Sequence, residues 1–251
     1  MSEPDGPVPP PPGRATPGSA LPKRFYTRVE VIETPEGSFR VELDGRPVRT
    51  PGRALLALPS AALAERVVAE WAAQGERIDP VTMPVTRLVN SAIDGVAPRH
   101  AEVAAEIVRY AGSDLLCYRA DAPERLVVLQ REIWDPLLDW ARAEIGATFF
   151  LSEGIRFVEQ PPRTLEVIAA ALPDEPLRLA ALNLMTVLSG SALIALAVWK
   201  GRLTAEEGWR AAHIDEEVQE QLWGVDVEAA GRRDSRFHDF AAAAFSLATL
   251  R

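Results

Sequence analysis

Leu179-Ala180-Ala181-Leu182-Asn183-Leu184-Met185-Thr186-Val187-Leu188-Ser189-Gly190-Ser191-Ala192-Leu193-Ile194-Ala195-Leu196-Ala197-Val198-Trp199 runs 21 residues without a formal charge. As one helix it is long enough to span a bilayer, and it is also apolar enough to be the buried centre of a helical bundle. Asn183, Thr186, Ser189, Gly190 and Ser191 dilute it, and a polar group at the centre of a bilayer must find a partner. The chain around it is 25% charged and 47% hydrophobic, the balance of an ordinary globular protein. The preferred reading is a single buried helix over Glu175 to Trp199 at the heart of a bundle. A membrane anchor is the alternative.

The neighbours of this run are helical as well. Val85–Ile93, Arg99–Tyr110, Pro123–Ile145, Pro162–Leu172 and Thr204–Trp223 all carry three- and four-residue apolar spacing. Pro136 should kink or split the third of these, because its ring removes a hydrogen bond and collides with the preceding turn. Thr204-Ala205-Glu206-Glu207 has the form of a capping box, and Gly224 stands where a helix ends.

Toward the N-terminus the period changes to two. Phe25, Thr27, Val29 and Val31 alternate with Tyr26, Arg28, Glu30 and Ile32. The turn residues Thr34-Pro35-Glu36-Gly37 follow, then Phe39, Val41 and Leu43, and Asp44-Gly45 closes the second strand. Val48 and Leu55–Leu58 suggest further short strands, kept to an edge by Pro47 and Pro51. Ser60 is an N-cap signal and Gly75 a stop signal for a helix carrying Leu63, Val67, Glu70, Trp71 and Gln74. The fold expected is α+β: a small N-terminal two-layer α+β domain over residues 23–95, then an all-helical, orthogonal-bundle domain over residues 96–251. Residues 1–22 hold eight of the 21 prolines and read as a disordered arm. That arm lacks the features of a secretory signal or a mitochondrial transit peptide.

Composition excludes several function classes. The net charge of -9 argues against nucleic-acid or anionic-membrane partners. The lone Cys117 excludes an intrachain disulfide framework and any CxxC metal knuckle. Neither GxGxxG nor GxxxxGK[ST] occurs, so the two common phosphate cradles are missing, and no cofactor is expected. His100, His213 and His238 are scattered, and His213 with Glu217 lacks a third ligand nearby, so no metal site is expected.

The unusual stretch is Leu203–Glu228, where eight acidic residues stand against Arg210 alone, a local charge of -7. On a helix Glu216, Gln219, Glu220 and Trp223 share one side, while Ile214, Val218 and Leu222 form an apolar stripe facing the bundle. The carboxylates are open to three readings: a solvated face, a recognition surface anchored by Trp223, or an acid–base pair near His213.

Several words in order resemble the assembly chaperones of F-type ATP synthase that act on the alpha subunit of the catalytic sector. They are Arg24-Phe25-Tyr26, Leu43-Asp44-Gly45-Arg46-Pro47-Val48-Arg49-Thr50-Pro51, and Glu70-Trp71 with Gln74. Met83-Pro84-Val85-Thr86-Arg87-Leu88 follows, with Asn90, Ile93 and Asp94. Then come Asp114-Leu115-Leu116-Cys117-Tyr118-Arg119, Trp134-Asp135-Pro136 with Trp140, and last Glu216, Gln219, Trp223 and Gly224. The resemblance covers residues 23–224 and implies a non-enzymatic chaperone that holds an unassembled alpha subunit. Its implied binding site is Glu216, Gln219 and Trp223, with Glu217 beside them; Trp71, Asp94, Asp114 and Arg119 have a fold-stabilising role as their competing reading. No cofactor and no stable membrane insertion are expected, and a monomer suits a protein whose partner supplies the missing interface. The arm, unlike a mitochondrial presequence, points to the bacterial cytoplasm, or to the mitochondrial matrix only in a eukaryote. A small enzyme using the carboxylates near His213 and a membrane-anchored assembly factor are the alternatives.

Overall fold

A computed structural model of the chain describes residues 21–154 and 156–250. The arm expected over residues 1–22 therefore lies almost wholly outside the described residues. Its last two members are tied down: the Pro22 carbonyl accepts from the Ile78 amide, and the Leu21 carbonyl accepts from Arg77.

The period-two segments form the expected hairpin. Strands β1 (Val29–Glu33) and β2 (Phe39–Leu43) pair antiparallel, with Val31 opposite Val41. Short strands β3 (Arg46–Pro47) and β4 (Ala57–Leu58) both pair with β2. The β2–β3 loop is the two-residue Asp44-Gly45, both with positive φ (49° and 78°), the signature of a turn whose twist matches the strands. The Asp44 carboxylate accepts from the Thr27 and Arg28 amides and so fixes the chain entering β1. Helix α1 (Ala61–Ala72) covers β1 and β2 with buried Leu63, Ala64 and Val67. Ser60 caps it as expected, accepting from the Leu63 amide. Gly75 lies past the C-cap at Ala73, so it is not the residue that ends α1.

Helix α2 (Pro84–Ser91) is started by a residue on α1. Buried Glu70 accepts from the amides of Val85 and Thr86 at 2.8 Å each and from the Thr86 hydroxyl at 2.7 Å, which satisfies the open N–H groups at that helix end. A π-helical turn at Ala92–Val96 leads to α3 (His100–Ala111). Next come β5 (Tyr118–Arg119), α4 (Glu124–Trp140), β6 (Ser152–Glu153) and α5 (Pro162–Ala171). Strands β5 and β6 pair parallel, a small sheet that sequence periodicity did not announce. Pro136 does not split α4, which runs unbroken through it.

The deciding run is two helices. α6 (Pro176–Ser189) ends at Gly190 (φ 71°), and Ser191 caps α7 (Ala192–Trp199) by accepting from the Ile194 amide. The expectation of one helix over Glu175–Trp199 is corrected: the left-handed backbone at Gly190 stops the first helix and leaves its neighbour to start a second. α7 is buried all round from Ala192 to Val198, as a central bundle element should be. No helix among the described residues is long and apolar enough to cross a membrane, so the membrane-anchor reading loses the span it needed.

Helices α8 (Ala205–Ala212) and α9 (Ile214–Trp223) are likewise separate, divided at His213, where the single helix Thr204–Trp223 was expected. The capping box at Thr204 and Glu207 is formed. α10 (Val227–Thr249) closes the bundle against α6 and α2 and buries Phe240, Ala243 and Leu247. One hydrophobic core runs from Val41 and Leu58 under the sheet to Leu182 and Ile194 between the helices. The architecture is α+β, a small N-terminal sheet region followed by a helical region.

Candidate partner-binding site

Most of the words that carry the resemblance are occupied inside the fold. Arg24 donates to the carbonyls of Tyr26 and Gln74. Asp94 accepts from the Thr50 hydroxyl and the Gly52 amide, clamping the loop after β3. Gln74 bridges the Glu70 carbonyl and the Asp79 amide. Trp71 is half-buried, its ring edge-on to Tyr26, whose hydroxyl donates to the Trp71 carbonyl. Arg119 reaches Asp135 at 2.8 Å and lies over the ring of Trp134, and the Trp134 indole donates to the Ala211 carbonyl.

Asp114 is fully buried. It accepts from the Ser191 hydroxyl at 2.7 Å and from the amides of Leu116 and Leu193 at 3.1 Å, so it holds the start of α7 from 77 residues away. Burial pushes its carboxyl up to about 6, against the donors that pull it down. Cys117, also buried, has its thiol pushed up to about 12 by burial and then by the Asp114 charge, which leaves it without thiolate at neutral pH.

The last word behaves differently. Ile214 and Val218 are buried, and α9 lies on α4 through that side. Three of its carboxylates serve the fold. Asp215 accepts from Gln130 at 3.1 Å, Glu217 pairs with Arg210 at 3.2 Å, and Glu220 pairs with Arg233 of α10 at 2.7 Å, holding that guanidinium above its usual range. Glu216, Gln219 and Trp223 stand three and four residues apart on the remaining side. All three are exposed, and their side chains make no hydrogen bond or ion pair to a described residue. Trp223 is 86% exposed.

The sequence-derived set is thus divided by the structure. Glu216, Gln219 and Trp223 are brought together on open surface, whereas Glu217 is engaged with Arg210 at the base of the helix. Leu222 was expected to face the bundle and is instead 59% exposed. Burial along that side ends at Val218; Leu222, one turn further and still within α9, is left exposed. Val225 and Val227 are exposed too and were not singled out. Their signal was the alternation Val225-Asp226-Val227 just past a helix-ending glycine.

His213 has the environment of a packed residue. Its Nδ1 bonds the Trp209 carbonyl at 2.8 Å, its ring lies 3.9 Å from that indole, and burial holds its pKa below the ordinary value. Two open surface depressions, of about 530 and 340 Å³, are lined by other parts of the chain and include no residue of α9. No three His, Cys, Asp or Glu side chains among the described residues stand together as metal ligands would.

A small sheet region joined to a helical region, with Trp223 exposed beside Glu216 and Gln219 on α9, offers a surface of the kind that protein-binding proteins use. Residues 23–142 match the ATP12 chaperone protein family model. The chain is 43% identical to Atp12 from Paracoccus denitrificans over 92% of its own length and 99% of that chain, with a TM-score of 0.84. A point mutant of P. denitrificans Atp12p gives 42% identity and the same TM-score, covering 98% of that chain. The Atu1473 protein from Agrobacterium tumefaciens, a candidate chaperone, is 48% identical with a TM-score of 0.88, covering 92% of this chain and 87% of that one. The chain belongs to the ATP12 chaperone family, the ATP synthase assembly chaperones.

Proposed function

We propose that this chaperone binds the unassembled alpha subunit of ATP synthase and acts by holding it, with no catalytic step. A subunit that needs a neighbour on each side exposes large apolar and charged surfaces when alone, and these invite self-association. The observation that carries the reading is the contrast within α9: Asp215, Glu217 and Glu220 are paired within the fold, while Glu216, Gln219 and Trp223 are not. Unpaired groups on a helix already formed need break no internal bond and order no backbone to meet a partner. The protein works as a monomer, in the cytoplasm of a bacterium or in the mitochondrial matrix of a eukaryote.

The test is capture of the alpha subunit by immobilised chaperone. Glu216→Lys and Trp223→Ala are expected to abolish capture. Trp223→Ala should leave thermal unfolding unchanged because its ring is exposed, and Glu216→Gln separates recognition from the loss expected when a lysine replaces a first-turn carboxylate near Arg233 and His213. Undiminished capture by both variants would remove the site assignment, and no capture by the wild type would remove the partner.

A further inference from the structure

The exposed apolar surface does not end with the helix. Leu222, Trp223, Val225 and Val227 are 59, 86, 63 and 82% exposed, four large apolar side chains within six consecutive residues. Single exposed apolar residues are ordinary on a protein surface; a cluster of this density marks an interaction site. The segment carrying them is also well held. The Gly224 amide donates to the Glu220 carbonyl, the Asp226 carboxylate accepts from the amides of Glu228 and Ala229 to cap α10, and the Glu220–Arg233 pair ties α9 to α10 across the turn. The apolar groups are therefore presented on a pre-formed corner, which lowers the ordering cost of burying them.

The charges around the corner say what covers it. Glu216, Asp226 and Glu228 flank the four side chains. Glu228 is paired with Arg232 and Glu220 with Arg233, and with the arginines of α10 counted the segment Glu216–Arg236, six acidic and three basic residues, keeps a net charge of -3. A second copy of this chain would bring the same acidic corner against itself in a two-fold contact, like charge against like. An apolar groove with Lys or Arg along its rim meets both features at once.

We infer that Leu222, Trp223, Val225 and Val227 form one apolar plug that seats in an apolar groove with a basic rim on the client protein, with the acidic residues steering its approach. The inference rests on the proposed function for the identity of the client, and adds the residues beyond Gly224 and the chemistry of the surface that receives them. Apolar plug and acidic rim should then separate kinetically, because rim charges act chiefly on association and its salt dependence, and desolvated contacts on dissociation.

Surface plasmon resonance with immobilised alpha subunit tests this, using the full-length chaperone, Val225→Ser/Val227→Ser and Asp226→Asn/Glu228→Gln. The valine pair is expected to speed dissociation by about tenfold or more at unchanged association rate. The charge-neutralised pair is expected to slow association at low salt and to converge on the wild type at 0.5 M salt, roughly beyond the range of surface steering. Wild-type binding with an unaltered valine variant overturns the plug; absence of wild-type binding instead overturns the partner. A wild-type dimer on sedimentation that the valine pair converts to monomer overturns the client assignment in favour of self-association. An unchanged thermal midpoint for the valine pair, expected because both side chains are exposed, excludes unfolding as the cause of its faster dissociation. The convergence of the charge-neutralised pair on the wild type at high salt excludes it for that variant, whose α10 cap is altered.

Discussion

Lowering the pH from 7.5 to 4.5 should stabilise this protein through Asp114, the reverse of the usual acid effect on a carboxylate. In the native state the Asp114 side chain is wholly out of water, and its carboxyl is pushed up from 3.8 to about 6. Burial is the largest cause and outweighs the Ser191 hydroxyl and the amides of Leu193 and Leu116 that favour the anion. A folded-state pKa above the unfolded value means that ionisation favours the unfolded chain. The cost is complete above pH 6, amounts to about 3 kcal/mol there, and disappears below the unfolded pKa. Between pH 7.5 and 4.5 the linkage relation returns about 2 kcal/mol of it. Other titrating groups contribute over the same range, so the measured quantity is a difference. Urea unfolding of the wild type and of Asp114→Asn at both pH values isolates the one carboxyl. The stability of the wild type relative to the variant should rise by about 2 kcal/mol on acidification. A flat difference would show that the donors balance desolvation, and one of opposite sign that they outweigh it; either outcome refutes the reasoning about this site.

Two further expectations concern groups elsewhere in the core. Glu70→Ala strips α2 of the acceptor for the Val85 and Thr86 amides and should cost about 3 kcal/mol, with Glu70→Gln falling between it and the wild type; a loss under about 1 kcal/mol in chemical denaturation would mean that water replaces the carboxylate. Cys117, buried and with its thiol held near 12, should resist a disulfide reagent at pH 8 until urea unfolds the chain, and fast labelling of native protein would contradict its burial.

The turns and caps of the fold were legible because their causes are local. Asp44-Gly45, Ser60 and Thr204 with Glu207 each act over two to four residues, and all appear where expected. The break at Gly190 was also local, since a glycine followed by a serine stops one helix and caps the next, but it was hidden by the uninterrupted apolarity on either side. α10 was missed for another reason. Its first half, from Val227 to Asp239, is charged and mostly exposed, and its apolar spacing begins only at Phe237 and Phe240. In the site, the outward side of α9 could be read from helical spacing, and Leu222 was misplaced because spacing does not say how far along a helix its neighbours extend.

The alternation of Val29–Leu43, the uncharged run of Leu179–Trp199 and the acidic stretch around Trp223 belong to the sequence alone, and they mark strands, an apolar helical centre and a charged helix, while the break at Gly190 and the burial of that centre belong to the fold. Which carboxylates remain available is another matter. Asp114 is matched by Ser191, Asp215 by Gln130, and Glu220 by Arg233, partners 77, 85 and 13 residues away. Glu216 has the same chemistry as Glu220 and its charge acts on the same arginine, yet only Glu220 closes an ion pair with it. A carboxylate's role is decided by what folding brings within about 3 Å of it, because hydrogen bonds and close ion pairs fall off steeply beyond that distance. Periodicity shows which way a side chain points along its own helix; only the packing of α4 and α10 around α9 decides whether anything is there to meet it.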